Sequence, residues 1–172
     1  MKNKRLFGVL LTISVFILIC PGCYTLKSAS IPPELKTINI GFFENNAQLV
    51  VSNLSQQFTE ALKERIRSTT RLSIVTGEGD ARMTGAITDY RIAPISIQAT
   101  NNNVAPIAGA SVLSITVNVK FVYDANKKLD FDQSFTKTMN FTGDISSQEQ
   151  SLILAINKQL IDDIFNKAFN NW

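Results

Sequence analysis

The residues from Leu113 to Phe141 constrain this chain more than any others. Leu113, Ile115, Val117, Val119, Phe121 and Tyr123 alternate with Ser114, Thr116, Asn118 and Lys120. A period of two puts the first set on one face of a strand and the second on the other. Asp124-Ala125-Asn126-Lys127-Lys128 is turn chemistry, and Leu129, Phe131, Phe135, Met139 and Phe141 follow on one face of a return strand. The pattern predicts an antiparallel hairpin with one buried face, which needs an apolar cover.

Two segments have the periodicity to supply that cover. Leu54, Phe58, Ala61, Leu62 and Ile66 recur at helical intervals, behind an N-cap signal in Asn53 and Gln56. Ile153, Ile156, Leu160, Ile161, Ile164, Phe165 and Ala168 form a wider stripe, behind Ser146 and Glu149 at capping-box spacing. Lys158, Asp162, Asp163 and Lys167 lie off that stripe and are expected to face water. Thr37–Phe43 reads as a strand with Ile38, Ile40 and Phe42 on one face, and Leu72–Val75 as a short one. Arg82–Gln98 reads as a long strand whose phase shifts between Ile87 and Ile92 and which Pro94 interrupts, as at a bulge or an edge. The expected class is α+β: a largely antiparallel sheet of about four to five strands, covered on one face by two amphipathic helices.

The start of the chain has a different logic. Lys2, Lys4 and Arg5 precede an uncharged apolar run, Leu6–Cys20, and then Pro21-Gly22-Cys23. A helix over Leu6–Cys20 spans roughly 22 Å, short of the roughly 30 Å hydrocarbon core. Pro21 and Gly22 would break it. This is an export signal over residues 1–22. Cys20-Pro21-Gly22-Cys23 resembles a bacterial lipobox, with small Gly22 before the acylated cysteine; Cys20 and Pro21 depart from the usual residues. The resemblance implies lipidation at Cys23. A tether follows over residues 23–36, kept extended by Pro32-Pro33. One domain of residues 37–172 follows, with no internal repeat.

The chain carries 17 basic and 14 acidic residues. Lys2, Lys4 and Arg5 all precede Cys23, so the remainder is formally neutral, and its charge gives no sign of nucleic-acid binding. There is no histidine, and Cys23 is the only cysteine beyond the signal. Ser-His-Asp and Cys-His catalysis, structural zinc and disulfides are all excluded on those grounds. No cofactor and no enzyme activity are expected. Asp162-Asp163 is the one adjacent carboxylate pair, but neighbours on a helix diverge and cannot share a proton or metal.

Two candidate binding features remain. The segment from Ala99 to Ala110 is uncharged and carries Asn101, Asn102, Asn103, Val104, Pro106 and Ile107. A loop of that length is often functional, so these residues are candidates for partner contact; the alternative is that Val104 and Ile107 fold onto the core. Arg82, Arg91, Lys120 and Lys137 are basic positions on strands and are candidates for contacting phosphates.

Several segments in order resemble the LPS-assembly lipoprotein LptE family, in its Bacteroidetes-type form. They are Gly22-Cys23-Tyr24, Ala29-Ser30-Ile31-Pro32-Pro33, Thr37–Phe43, Leu54-Ser55-Gln56 and Phe58-Thr59-Glu60-Ala61-Leu62-Lys63. Gly77-Glu78-Gly79-Asp80, Leu113-Ser114-Ile115-Thr116-Val117 and Asp163-Ile164-Phe165-Asn166-Lys167-Ala168 continue them. The resemblance implies a non-catalytic plug and assembly partner of an LptD-type outer-membrane β-barrel that delivers lipopolysaccharide to the outer leaflet. It also implies lipopolysaccharide as a ligand, without assigning residues. Tyr24 after Cys23, in place of an inner-membrane retention aspartate, implies the periplasmic face of the outer membrane. The alternative is a lipoprotein regulator of a cell-wall enzyme or an auxiliary subunit of a transporter.

Overall fold

The computed structural model describes residues 31–49, 51–95 and 109–170. The elements in chain order are β1 (Thr37–Ile40), β2 (Glu44–Asn45), α1 (Leu54–Thr69), β3 (Ser73–Val75) and β4 (Ala81–Pro94). They continue with β5 (Ala110–Tyr123), a 3₁₀ turn (Lys127–Leu129), β6 (Phe131–Thr142) and α2 (Glu149–Phe169). The class is α+β, as expected.

The sheet has six strands in the order β3-β1-β4-β5-β6, with β2 pairing beside β1 on β4. It is largely antiparallel, as expected, along the long β4–β5 and β5–β6 ladders, but mixed at its other side, where β1 runs parallel to both β3 and β4, and β2 parallel to β4. The reason is the connection. A helix between β1 and β3 returns the chain to the same end of the sheet, so the next strand enters in the same direction. The expected hairpin is present, with Val117 opposite Phe135 and Leu113 opposite Met139.

The core lies between one sheet face and the helices. Leu113, Ile115, Val117, Val119 and Phe121 are fully buried, together with Ile38, Met83 and Ile87 from neighbouring strands. Every residue of the expected α2 stripe is buried. The helices run side by side in the same direction. Gln150 Nε2 donates to Gln57 Oε1 at one end (3.1 Å), and Arg65 meets Asp162 at the other (3.0 Å).

The phase shift in β4 is a bulge, with the register stepping between Ile87 and Asp89. It places Met83 and Ile87 before the bulge on the same inner face as Tyr90 after it, all buried. β4 is nevertheless central, not an edge, and Pro94 is its last residue.

Three local expectations are corrected. The first strand stops at Ile40; Phe43, not Phe42, enters the core, while Phe42 is 59% exposed. Gly85 is the cause: a Cβ there would lie 2.6 Å from the Phe43 ring, so its absence opens the place that Phe43 fills. Asn53 does precede α1, but in a left-handed conformation (φ 65°) and without a side-chain capping bond. The second helix begins at Glu149 rather than after Ser146. Asp144 accepts from the Ser146 N–H, and the Glu149 carboxylate accepts from the Tyr90 hydroxyl at 2.7 Å.

Candidate functional site

Because both helices pack on one face of the sheet, the other face has no cover among the described residues. Its side chains follow from strand alternation and register. Across β4, β5 and β6 the outward rows are Thr84–Lys120–Asp132, Ala86–Asn118–Ser134, Asp89–Thr116–Thr136 and Arg91–Ser114–Thr138. Cross-strand bonds order this surface. The Thr116 and Thr136 hydroxyls are 2.9 Å apart, and Asn118 Nδ2 donates to Asp132 Oδ1 at 3.1 Å. The β5 and β6 columns from Asn118 and Ser134 onward carry hydroxyls and amides but no charge. Apart from Ser114, which is buried, such groups can exchange hydrogen bonds with a partner without the desolvation cost of an ion.

Three of the four candidate basic residues share this face. Arg82 and Lys120 stand near one end, and neither has an ion-pair partner among the described residues. Arg91 stands further along, 3.9 Å from Asp89 Oδ2, with the arginine side chain largely exposed and the aspartate half-buried. Lys137 does not join them. Its register position opposite Ile115 puts it on the inner face, where its ammonium lies 2.7 Å from Asp163 Oδ2. Asp162 and Asp163 are accordingly half-buried ion-pair partners of Arg65 and Lys137, not freely solvated carboxylates.

The electrostatics at the Arg82 end are local. Asp124 is held below the usual carboxylate range, first by its hydrogen bond from Lys127 and then by that residue's charge, with Arg82 adding to the effect. On the inner side Tyr90 is pushed well up, first by burial and then by its bond to Glu149.

The two ends of the sheet differ. β1 enters beside the start of β4, with Ile38 opposite Ala81, so the chain leading into β1 reaches the sheet at the Arg82 end. The flanks of the Ala99–Ala110 segment are at the other end, closed by a bond from the Ile95 N–H to the Ala110 carbonyl (2.9 Å). Asn101, Asn102, Asn103, Val104, Pro106 and Ile107 lie outside the described residues, as does Cys23. Sequence reasoning did not single out the outward β6 set of Ser134, Thr136, Thr138 and Asn140. The signal was there in the alternation opposite Phe135 and Met139.

Among the described residues no group of three or more metal-ligating side chains is found, and no helix is long and apolar enough to cross a membrane.

Comparison with solved structures finds the same fold in the hypothetical protein CT253 from Chlamydia trachomatis. The TM-score is 0.52 at 12% identity, over 77% of this chain and 94% of that one. The rare lipoprotein B from Shewanella oneidensis aligns with a TM-score of 0.49 at 12% identity, over 77% and 90% of the two chains. Uncharacterized lipoprotein B from Nitrosomonas europaea aligns at 0.48 and 14%, over 76% and 79%. No curated protein matches the chain. The family model for LptE, lipopolysaccharide-assembly, matches residues 35–168. That match spans every strand and nearly all of the second helix, and the chain belongs to the LptE lipopolysaccharide-assembly family.

Proposed function

We propose that this protein is an outer-membrane lipoprotein, anchored on the periplasmic side through Cys23. It acts there as plug and assembly partner of an LptD-type β-barrel that passes lipopolysaccharide to the outer leaflet. The observation that carries this reading is the family match over residues 35–168. The geometry is consistent with it. A lipid on Cys23 would hold the Arg82 and Lys120 end of the sheet towards the membrane, since the tether enters there. The uncovered face, uncharged over much of β5 and β6, suits a close-fitting contact with the polar interior of a barrel. Arg82, Arg91 and Lys120 are then the candidates for meeting lipopolysaccharide phosphates. The Ala99–Ala110 segment is a further candidate contact, at the opposite end from the anchor.

Crosslinked co-purification from outer membranes, read by mass spectrometry, tests the partner. Recovery of a large β-barrel is expected; recovery of a cell-wall synthase or an inner-membrane transporter in its place would reject the reading. Cys23→Ser tests the anchor: palmitate labelling should be lost and uncleaved precursor should accumulate. Replacing Val104–Ile107 with Gly-Ser residues should lower barrel recovery without changing the melting temperature.

A further inference from the structure

The run that leads into β1 lies against the end of α1, and a cavity of about 480 Å³ opens between them. Two main-chain bonds shape it. The Leu35 N–H donates to the Pro32 carbonyl at 3.1 Å, closing a turn with Pro33 at its favoured second position. The Ser73 N–H donates to the Lys36 carbonyl at 2.9 Å and holds the α1–β3 connection alongside.

The walls divide by chemistry. Ile31, Leu35 and Leu72 are apolar, the two leucines buried. Lys36 and Arg71 are exposed, and neither has an ion-pair partner among the described residues. No carboxylate lines the cavity. Glu34, the acidic residue of the turn, lines a separate cleft with Asp80 and Asp124. Asp80 accepts the Lys36 main-chain N–H (3.0 Å), while the charge of Lys36 is the least of the causes acting on that carboxyl. The end of α1 supplies no free acceptor at Ile66 either, because the Thr70 N–H and hydroxyl both donate to its carbonyl (2.9 and 2.7 Å).

Two uncompensated cations beside apolar walls suit an anion that carries hydrocarbon. At about 30 Å³ for a water, the volume is far more than an inorganic ion fills. Position narrows the source. Ile31 stands eight residues after Cys23, and eight residues span at most about 29 Å. The cavity also lies at the Arg82 end of the sheet, where the chain enters β1. The lipids within that reach are those of the leaflet that holds the anchor, whose anionic headgroups attract clustered Lys and Arg.

We propose that this cavity holds the headgroup phosphate and upper acyl carbons of an anionic phospholipid from the anchoring leaflet. Lys36 and Arg71 meet the phosphate, and Ile31, Leu35 and Leu72 cover the hydrocarbon. The choice of leaflet rests on the Cys23 anchor proposed above; the chemistry of the cavity does not. Its effect is to seat the sheet end on the membrane surface.

The test reconstitutes the full chain, purified from membranes, in phosphatidylethanolamine vesicles. They contain phosphatidylglycerol with a photoreactive diazirine near the top of one acyl chain, and adducts are located by mass spectrometry. Adducts on Leu35, Thr69 or Leu72 are expected. Lys36→Gln and Arg71→Gln should each need about fivefold more probe for the same yield. Both should melt as the wild type does, since both side chains are exposed. Arg67→Gln removes a cation one turn away that does not line the cavity, and should change nothing. Adducts absent from the cavity walls, equal yield from a phosphatidylcholine probe, or equal yield from all three variants and the wild type would overturn the proposal. So would loss of the adducts on adding 10 mM inorganic phosphate, which would make this a free-anion site. Displacement by lipopolysaccharide but not by unlabelled phosphatidylglycerol would give the cavity to the transported lipid and overturn it too. Cavity adducts from a chain that carries no palmitate on Cys23 would sink the anchor and leave the cavity. No adducts from a chain that is palmitoylated and recovers a barrel would sink the cavity alone.

Discussion

Lys137 Nζ lies 2.7 Å from Asp163 Oδ2, so a cation on the inner face of the last strand is tied to the last helix. β6 is an edge strand, and Phe131, Phe135 and Met139 share its inner face with Lys137. An inward charge on an edge strand discourages pairing with another chain. Lys137→Val is therefore expected to change the melting midpoint little, because Asp163 is 45% exposed and such pairs contribute about 0–1 kcal/mol. It should raise light scattering on concentration. The same placement separates Lys137 from the other basic candidates. Arg82→Glu with Lys120→Glu is expected to weaken binding to lipopolysaccharide micelles, most visibly at low salt. Lys137→Ala should not. Equal loss from both would mean that the outer face is not the one that binds.

Asp80 clamps the entry of the first strand. Its Oδ2 accepts from the Thr37 hydroxyl (2.8 Å) and from the Thr37 and Lys36 N–H groups (2.8 and 3.0 Å). The Thr37 hydroxyl bond comes first among the causes that hold this carboxyl below its ordinary 3.8. A group with a depressed folded pKa adds stability above its unfolded value, and that contribution is lost as the pH falls through the folded one. Asp80→Asn should therefore lower the melting temperature at neutral pH. The gap from the wild type should narrow as the pH falls below 3.8. A gap independent of pH would show that the clamp does not depend on the ionised carboxylate.

Gly85 should tolerate no side chain. A Cβ there would lie 2.1 Å from the Asn118 carbonyl and 2.6 Å from the Phe43 ring. Gly85→Ala is expected to destabilise by about 1–3 kcal/mol in chemical denaturation, as overpacked sites do. The Asn118 contact is backbone, so Phe43→Leu should restore only part of the loss. Full restoration would mean that β4 and β5 can move apart at this point.

The second helix should divide sharply by face. Ile156 and Ile164 are fully buried, and truncating either to alanine should cost about 2–5 kcal/mol. Asp162→Ala removes a partner of Arg65 at a half-exposed site and should cost about 1 kcal/mol or less. Similar losses for all three would show that the helix does not pack through its apolar stripe.

Whatever depends on periodicity along the chain was legible before the structure. The β5–β6 hairpin, the α1 and α2 helices, the buried faces of β5 and α2, and the irregularity in β4 all follow from residues a few positions apart. The tertiary structure decided what depends on partners distant in sequence. Strand direction came from α1 carrying the chain back between β1 and β3. Phe43 took the core place of Phe42 because Gly85, remote in sequence, leaves room for a ring. Lys137 left the set of basic candidates because Asp163 lies across the sheet–helix interface. Propensity and alternation act through neighbours in sequence, whereas packing and ion pairing depend on which surfaces the completed fold brings together.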